Sequence, residues 1–266
     1  MKIARYATAD GEFWGLLEGD TLHRLPGDPF GALTPTATRD RLDAVCLLAP
    51  VQPGRVFGVG LNYVAHIAEA GAETPEIPLL FMKPQSAVIG PGAPIPYPPE
   101  AAEVHFEAEL AVVIGRAGRR IPVARALEHV LGYACANDIS ERVIQKQEMA
   151  QGALVICKGY DGFCPLGPVI ATDLDPGALR LGARVNGALR QDSNSADLLF
   201  SVADLVSYLS RAITLQPGDV ILTGTPSGVG PVVPGDEVEI FVEGVGSLIN
   251  PVVAEADLAS PNPGAR

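Results

Sequence analysis

Two carboxylates stand at the mouth of the most strand-like segment of the chain. Phe106, Ala108, Leu110, Val112 and Ile114 make one apolar face of residues 106–114. The opposite face runs Glu103, His105, Glu107, Glu109, Ala111, Val113, polar at its start and apolar further on. Alternate residues of a strand share a face, so Glu107 and Glu109 point the same way, roughly 6.6 Å apart along the backbone. A strand apolar on both sides is a buried strand, and uncompensated charge at its mouth is costly because neighbouring carboxylates raise each other's pKa. A hard divalent cation with oxygen ligands at about 2.0–2.6 Å resolves the conflict, and Mg2+, Mn2+ and Ca2+ are the candidates. A hydrated, exposed strand end resolves it equally well.

The remainder reads as short strands joined by turns. The 29 glycines and 24 prolines among 266 residues suit turns and strands better than a helix bundle. Strand patterns at 2–7, 13–17 and 21–25 precede a Pro- and Gly-rich boundary at 49–54. Residues 1–50 are therefore expected to form a small β subdomain, 51–255 the main domain, and 256–266 a loose tail. Further strands are expected at 55–59, 133–136, 154–157, 169–171, 181–185, 220–222, 238–242 and 252–254. Helices are expected at 124–130, 139–150 and 200–213, the last with apolar residues at 202, 205, 206, 209 and 213. The class is mixed α/β and β-rich.

A net charge of −12 leaves no phosphate-neutralising surface, which argues against a nucleic-acid partner. An anionic ligand must then be attracted by local cations or a metal. The first residues carry no apolar leader, no apolar run reaches a membrane span, and Cys46, Cys135, Cys157 and Cys164 form no CxxC pair. A cytoplasmic protein with reduced thiols and no membrane partner is expected.

Several other groups could carry chemistry. Asp138 with Glu141 fits a capping box, while Asp138, Arg142 and Gln145 at helical spacing could equally hold a metal and an anion. His66 and Glu69, at i and i+3, suit a carboxylate-oriented general base or a plain surface pair. Lys83 and Lys158 each end an apolar run, pointing into a site or snorkelling to water. The loop Thr223-Gly224-Thr225-Pro226-Ser227-Gly228-Val229-Gly230 would let a carboxylate approach backbone N–H groups, and it lacks the Gly-Lys end of a P-loop.

Taken in order, these segments resemble the fumarylacetoacetate hydrolase family. The resemblance rests on Gly60-Leu61-Asn62-Tyr63 with His66 and Glu69, Phe81-Met82-Lys83-Pro84, and Glu107 through Gly115. It continues through Asn137-Asp138-Ile139-Ser140 with Arg142, Pro165-Leu166-Gly167-Pro168, and Pro217 through Pro226. It spans most of residues 51–255, and residues 1–50 look like the short extension of some bacterial members. The resemblance implies a rolled mixed β-sheet catalytic domain and a homodimer. It implies Glu107, Glu109 and Asp138 as ligands of Mg2+ or a similar ion. His66 and Glu69 would be a catalytic dyad on a lid, with Lys158 beside them; Arg142, Gln145, Lys83 and Thr225 would contact substrate. The stretch 158–165 looks most like isomerases or decarboxylases of homoprotocatechuate breakdown. Residues 147–152 depart from the family, lacking the aromatic residue common there.

The expected activity is a metal-dependent one on small 2-oxo or 2-hydroxy-dienoic acids, of the 2-hydroxyhepta-2,4-diene-1,7-dioate type, in aromatic-compound catabolism. Hydrolysis of acylpyruvates or β-diketo acids and decarboxylation of oxaloacetate use the same enolate. A protein that binds metal and organic acid without turnover is the non-enzymatic alternative, which has no need of His66 and Glu69 as a base.

Overall fold

The computed structural model describes residues 1–258; residues 259–266, most of the expected tail, lie outside the described residues. Five strands occupy the first 50 residues: β1 (Lys2–Thr8), β2 (Gly11–Glu18), β3 (Thr21–Arg24), β4 (Arg39–Arg41) and β5 (Cys46–Leu48). Next come β6 (Val56–Gly60), α1 (Val64–Glu69), β7 (Leu79–Lys83), β8 (Val88–Ile89), β9 (Ile95–Tyr97), β10 (Val104–Phe106) and β11 (Ala108–Ile114). The middle carries β12 (Val130–Asn137), β13 (Ser140–Glu141), α2 (Arg142–Met149), α3 (Ile156–Gly159), β14 (Cys164–Ala171), β15 (Arg180–Val185) and β16 (Ala188–Asn194). Last are α4 (Val202–Ser210), β17 (Val220–Leu222), β18 (Gly230–Val232), β19 (Glu237–Val242) and β20 (Gly246–Ala254).

A large mixed sheet runs in the order β4-β3-β2-β1-β14-β12-β11-β17-β6-β7, with β5 added on β1 and β8 on β14. The amino-terminal strands therefore extend this sheet: β1 pairs with β14 through Lys2–Ala171 and Ile3–Ile170. A five-stranded sheet, β16-β15-β19-β20-β9, covers one face of it. Leu110, Val112 and Ile114 of β11 share that core with Leu181 and Ala183 of β15 and Ile240 of β19. Ala111 and Val113 enter a second core on the other face, with Ala134, Leu166, Ile170, Val220 and Leu222. Every residue of β11 is buried, as its two apolar faces require. Truncating Leu110 would cost about 2–5 kcal/mol.

The segment read as one strand over 106–114 is two. β10 belongs to a small sheet, β13-β10-β18, and β11 to the large one, with Glu107 at the corner between them. The helix expected from residue 139 starts at Arg142, because Ser140 and Glu141 pair with His105 and Val104 of β10. Asp138 forms no capping box; Glu141 caps α2 by accepting from the Ile144 N–H. Residues 154–157 form no strand and instead lead into α3, because the Glu148 carboxylate draws in the N–H groups of Val155, Ile156 and Cys157. The 200–213 helix is Val202–Ser210, opened by a Ser201/Asp204 capping box.

Candidate active site

The corner at Glu107 assembles the acids. Its N–H donates to Asn137 Oδ1 at 2.9 Å, and its carbonyl accepts from the Asp138 N–H at 3.0 Å. The end of β12 is thereby laced to the break between β10 and β11, and Asp138 arrives beside two carboxylates 31 and 29 positions earlier in the chain. Glu107, Glu109 and Asp138 are all buried, and each offers a carboxylate oxygen within 4.8 Å of the others. The exposed-strand-end explanation of Glu107 and Glu109 is thus excluded.

Cations surround two of the three acids. Lys158 Nζ lies 2.7 Å from Glu107 Oε2 and 2.6 Å from Asp138 Oδ2. Arg142 Nη2 donates to Glu107 Oε1 at 2.6 Å, and its Nη1 to Gln145 Oε1 at 2.8 Å. Burial would raise the Glu107 pKa, but Lys158 and Arg142 outweigh it and hold the carboxyl well below the usual range. Burial likewise disfavours the Lys158 ammonium, and Asp138 and Glu107 more than compensate, raising its pKa. Glu109 has no ion-pair partner among the described residues. Among the described residues it accepts only the Gly224 N–H, at 2.7 Å, and burial with the Asp138 and Glu107 charges drives its pKa well up.

These residues fit a divalent cation. Opposed ligands on one such ion stand at most about 4–5 Å apart, which the acid cluster meets, and a cation would supply the partner that Glu109 lacks. The donor set, three carboxylates, suits Mg2+, Mn2+ or Ca2+ rather than a softer metal.

A cavity of about 410 Å³ opens over the acids, in the range of small-molecule sites. His66, Glu69, Arg142, Gln145, Lys158 and Thr225 line it. His66 Nδ1 lies 2.9 Å from Glu69 Oε2, while Glu69 Oε1 accepts the Gly228 N–H at 2.9 Å. The loop after β17 therefore serves both ends of the site, Gly224 holding Glu109 and Gly228 holding Glu69. Asn62 anchors the start of α1 by donating to the Thr223 and Phe200 carbonyls. Phe81, Leu79 and Met149 make an apolar wall.

Lys83 is a correction. It was expected to touch substrate, yet its buried ammonium lies beneath the acids, donating to Asp138 Oδ1 at 2.6 Å and the Ile139 carbonyl at 3.2 Å, and it is not part of the cavity wall. Its strand, β7, gives the cavity Leu79 and Phe81, while Lys83 at the strand's end is buried away from it. Conversely, Glu103 and His105 do line the cavity, joined by a 2.7 Å contact between Glu103 Oε1 and His105 Nε2. Burial and then Arg142 lower the His105 pKa, so the ring is biased to its neutral form. The alternation 103, 105, 107, 109 was the signal that could have placed this pair in the site.

Comparison with known proteins agrees with this architecture. The pattern of the "Fumarylacetoacetate (FAA) hydrolase C-terminal" family matches residues 55–253. The chain belongs to the fumarylacetoacetate hydrolase family. Residues 1–50 match the "Rv2993c-like, N-terminal" domain. Protein Rv2993c of Mycobacterium tuberculosis is 44% identical over 263 residues, 95% of this chain and 98% of that one. A mitochondrial oxaloacetate tautomerase of Bos taurus is 44% identical over 220 residues, 79% of this chain and 70% of its own.

Among solved structures, 5-carboxymethyl-2-hydroxymuconate delta-isomerase from Mycobacterium smegmatis superposes with a TM-score of 0.89 at 46% identity, covering 96% of this chain and 100% of that one. The 2-hydroxyhepta-2,4-diene-1,7-dioate isomerase from Mycobacterium marinum gives 0.88 at 41% identity, covering 96% and 99%. Maleylpyruvate hydrolase from Sphingobium sp. SYK-6, in complex with manganese(II) and pyruvate, gives 0.78 at 32% identity, covering 96% and 99%. The fold is thus the β-rich mixed α/β fold of this family, with a small amino-terminal domain. No helix among the described residues is long and apolar enough to cross a membrane.

Proposed function

We propose that this protein is a divalent-cation-dependent isomerase that moves a proton on a small 2-oxo or 2-hydroxy-dienoic acid, of the 2-hydroxyhepta-2,4-diene-1,7-dioate type. The observation that carries the reading is the His66–Glu69 pair, fastened by Gly228 at the wall of a cavity whose floor is the Glu107, Glu109 and Asp138 cluster. Similarity to two isomerases of such acids supports the substrate class. Mg2+ or Mn2+ held by the three acids would act as a Lewis acid on the substrate's carboxylate and adjacent oxo oxygen.

The chain's own groups do the rest. Glu69 accepts from His66 Nδ1–H, which fixes the ring and leaves Nε2 to carry the proton that the 2-hydroxyl gives up as the dienol becomes the 2-oxo acid and to deliver a proton to the dienol's far carbon. Arg142 and Lys158 keep positive charge beside Glu107, where the substrate carboxylate would lie, and Gln145 holds the Arg142 guanidinium in place. Thr225 offers a hydroxyl at the wall, itself fixed by the Gln191 amide at 2.8 Å. Phe81 and Leu79 form an apolar part of the wall, which would favour proton return over attack by water. A cytoplasmic homodimer working in aromatic-compound breakdown belongs to the same proposal, and sedimentation velocity tests the dimer.

Purified protein with Mg2+, assayed against 2-hydroxyhepta-2,4-diene-1,7-dioate, enol-oxaloacetate and acylpyruvates, tests the activity. We expect loss of dienol absorbance with wild type and none with His66→Ala, which should still bind oxalate, a planar mimic of the enolate. Acylpyruvate cleavage outpacing isomerisation would assign a C–C hydrolase instead. Oxalate binding with no turnover of any substrate would assign a binding protein.

A further inference from the structure

We infer that Glu148 is a positioning residue that sets Lys158 into the acid cluster by tying α3 to α2; the inference rests on the proposed site in giving Lys158 a part in ligand binding. The need for such a tie is visible in α3 itself. It has four residues, its N-cap is Val155, and no N-cap side chain satisfies its first N–H groups. A helix this short does not hold its own shape in water, and its opening donors need acceptors. Val155 and Ile156 are exposed, so apolar burial does not anchor its first turn.

Glu148, on the last turn of α2, supplies the acceptors. Its carboxylate takes the N–H groups of Val155 at 3.1 Å, Ile156 at 2.8 Å and Cys157 at 3.0 Å. Its carbonyl takes those of Gln151 at 2.8 Å and Ala153 at 2.9 Å. Five peptide donors of the connecting segment thus converge on one residue. The three N–H groups, with the Cys157 thiol, outweigh the effect of burial and hold the Glu148 carboxyl below its usual range. The residue after the last of these donors is Lys158, whose ammonium must meet Glu107 and Asp138 together. Glu148 also lies three residues beyond Gln145 and six beyond Arg142, so one carboxylate fastens the helix bearing those side chains to the one bearing Lys158.

The competing explanation is that the buried Cys157 side chain anchors α3 alone. Two measurements decide. Wild type, Glu148→Ala, Lys158→Met and the double variant are titrated calorimetrically with oxalate in the presence of Mg2+. We expect Glu148→Ala to weaken oxalate about tenfold, but less than about twofold in the Lys158→Met background, because a residue acting through Lys158 loses its effect without it. Glu148→Gln, which keeps the length and one acceptor oxygen, should fall between wild type and Glu148→Ala. Equal losses in both backgrounds, or no loss at all, would overturn the inference.

The second measurement needs no ligand. Mass-mapped alkylation of Cys157, whose N–H and thiol are both held by Glu148, should become at least about tenfold faster in Glu148→Ala or Glu148→Gln as the first turn of α3 opens, the rates being compared per thiolate from their dependence on pH because loss of the carboxylate also eases ionisation of the thiol. An unchanged rate would overturn the inference. If wild type binds no oxalate, the proposed function fails, and the alkylation rate still decides the role of Glu148.

Discussion

The amide of Gly224 donates to Oε2 of Glu109 at 2.7 Å, with the Gly224 backbone at φ +104°. A Cβ at that position would stand 2.8 Å from Asn62 Cβ and 3.2 Å from the Val59 carbonyl. Glycine is required here both by the turn and by the close approach to the base of α1. Gly224→Ala should lower stability by about 1–3 kcal/mol, read by urea unfolding, and should weaken Mg2+ binding as the amide leaves Glu109. Wild-type stability in this variant would remove the strain argument.

Glu109→Gln tests the same contact from the other side. The variant keeps the shape of a residue with no ion-pair partner among the described residues, so the metal-free fold should melt no lower than wild type. Mg2+ or Mn2+ affinity should fall at least about tenfold, since one ligand charge is lost. Calorimetric titration reads the affinity, and equal binding by both proteins would take Glu109 out of the site.

Net charge sets the salt response. With −12 overall, long-range electrostatics repel an anionic substrate, and salt screens that repulsion. Local attraction from Arg142, Lys158 and a bound cation acts at short range, where screening is weak. Moderate addition of a non-chelating salt should leave kcat/KM unchanged or slightly higher. Arg142→Met should lower kcat/KM at every salt concentration. A steep fall for wild type between low and physiological salt would contradict the expected salt response, and wild-type kcat/KM in Arg142→Met would take Arg142 out of the site.

Stability should decline in alkali. Burial pushes the Cys164 thiol up to about 12, and burial with Glu148 beside it pushes Cys157 up to about 12, against an ordinary value of 9.0. The folded state thus favours the neutral thiols. Their contribution is fully present below about pH 9 and is lost as pH rises towards 12, because the unfolded chain ionises first. Melting temperatures between pH 8 and 11 should show this fall, with a shallower slope in Cys164→Ala. Parallel slopes would exclude Cys164 as a contributor.

Much of the site was legible one segment at a time. Period-two alternation through Leu110, Val112 and Ile114 marked a strand buried on both faces, and that burial made Glu107 and Glu109 conspicuous. The His66–Glu69 spacing suited a hydrogen bond, which the structure contains. The helix start at Arg142 was not legible, because Ser140 and Glu141 are extended by pairing with β10, a partner 35 positions away at the Ser140–His105 pair. Nor was α3, since residues 154–157 carry strand-forming side chains and their N–H groups are captured by Glu148.

The alternation of faces, the turn-rich β class and the side chains available for acid, base and cation roles are written in the order of residues along the chain. Those properties are local, set by backbone sterics and by which neighbours a strand or helical turn places together. Which charges meet was settled by the packing of the sheets. Asp138 joins Glu107 through an Asn137 contact at a sheet corner, Lys158 enters between them, and Lys83 goes beneath Asp138 rather than to the cavity. Such choices depend on burial and on hydrogen bonds between distant segments, whose energies exist only once the sheets have packed.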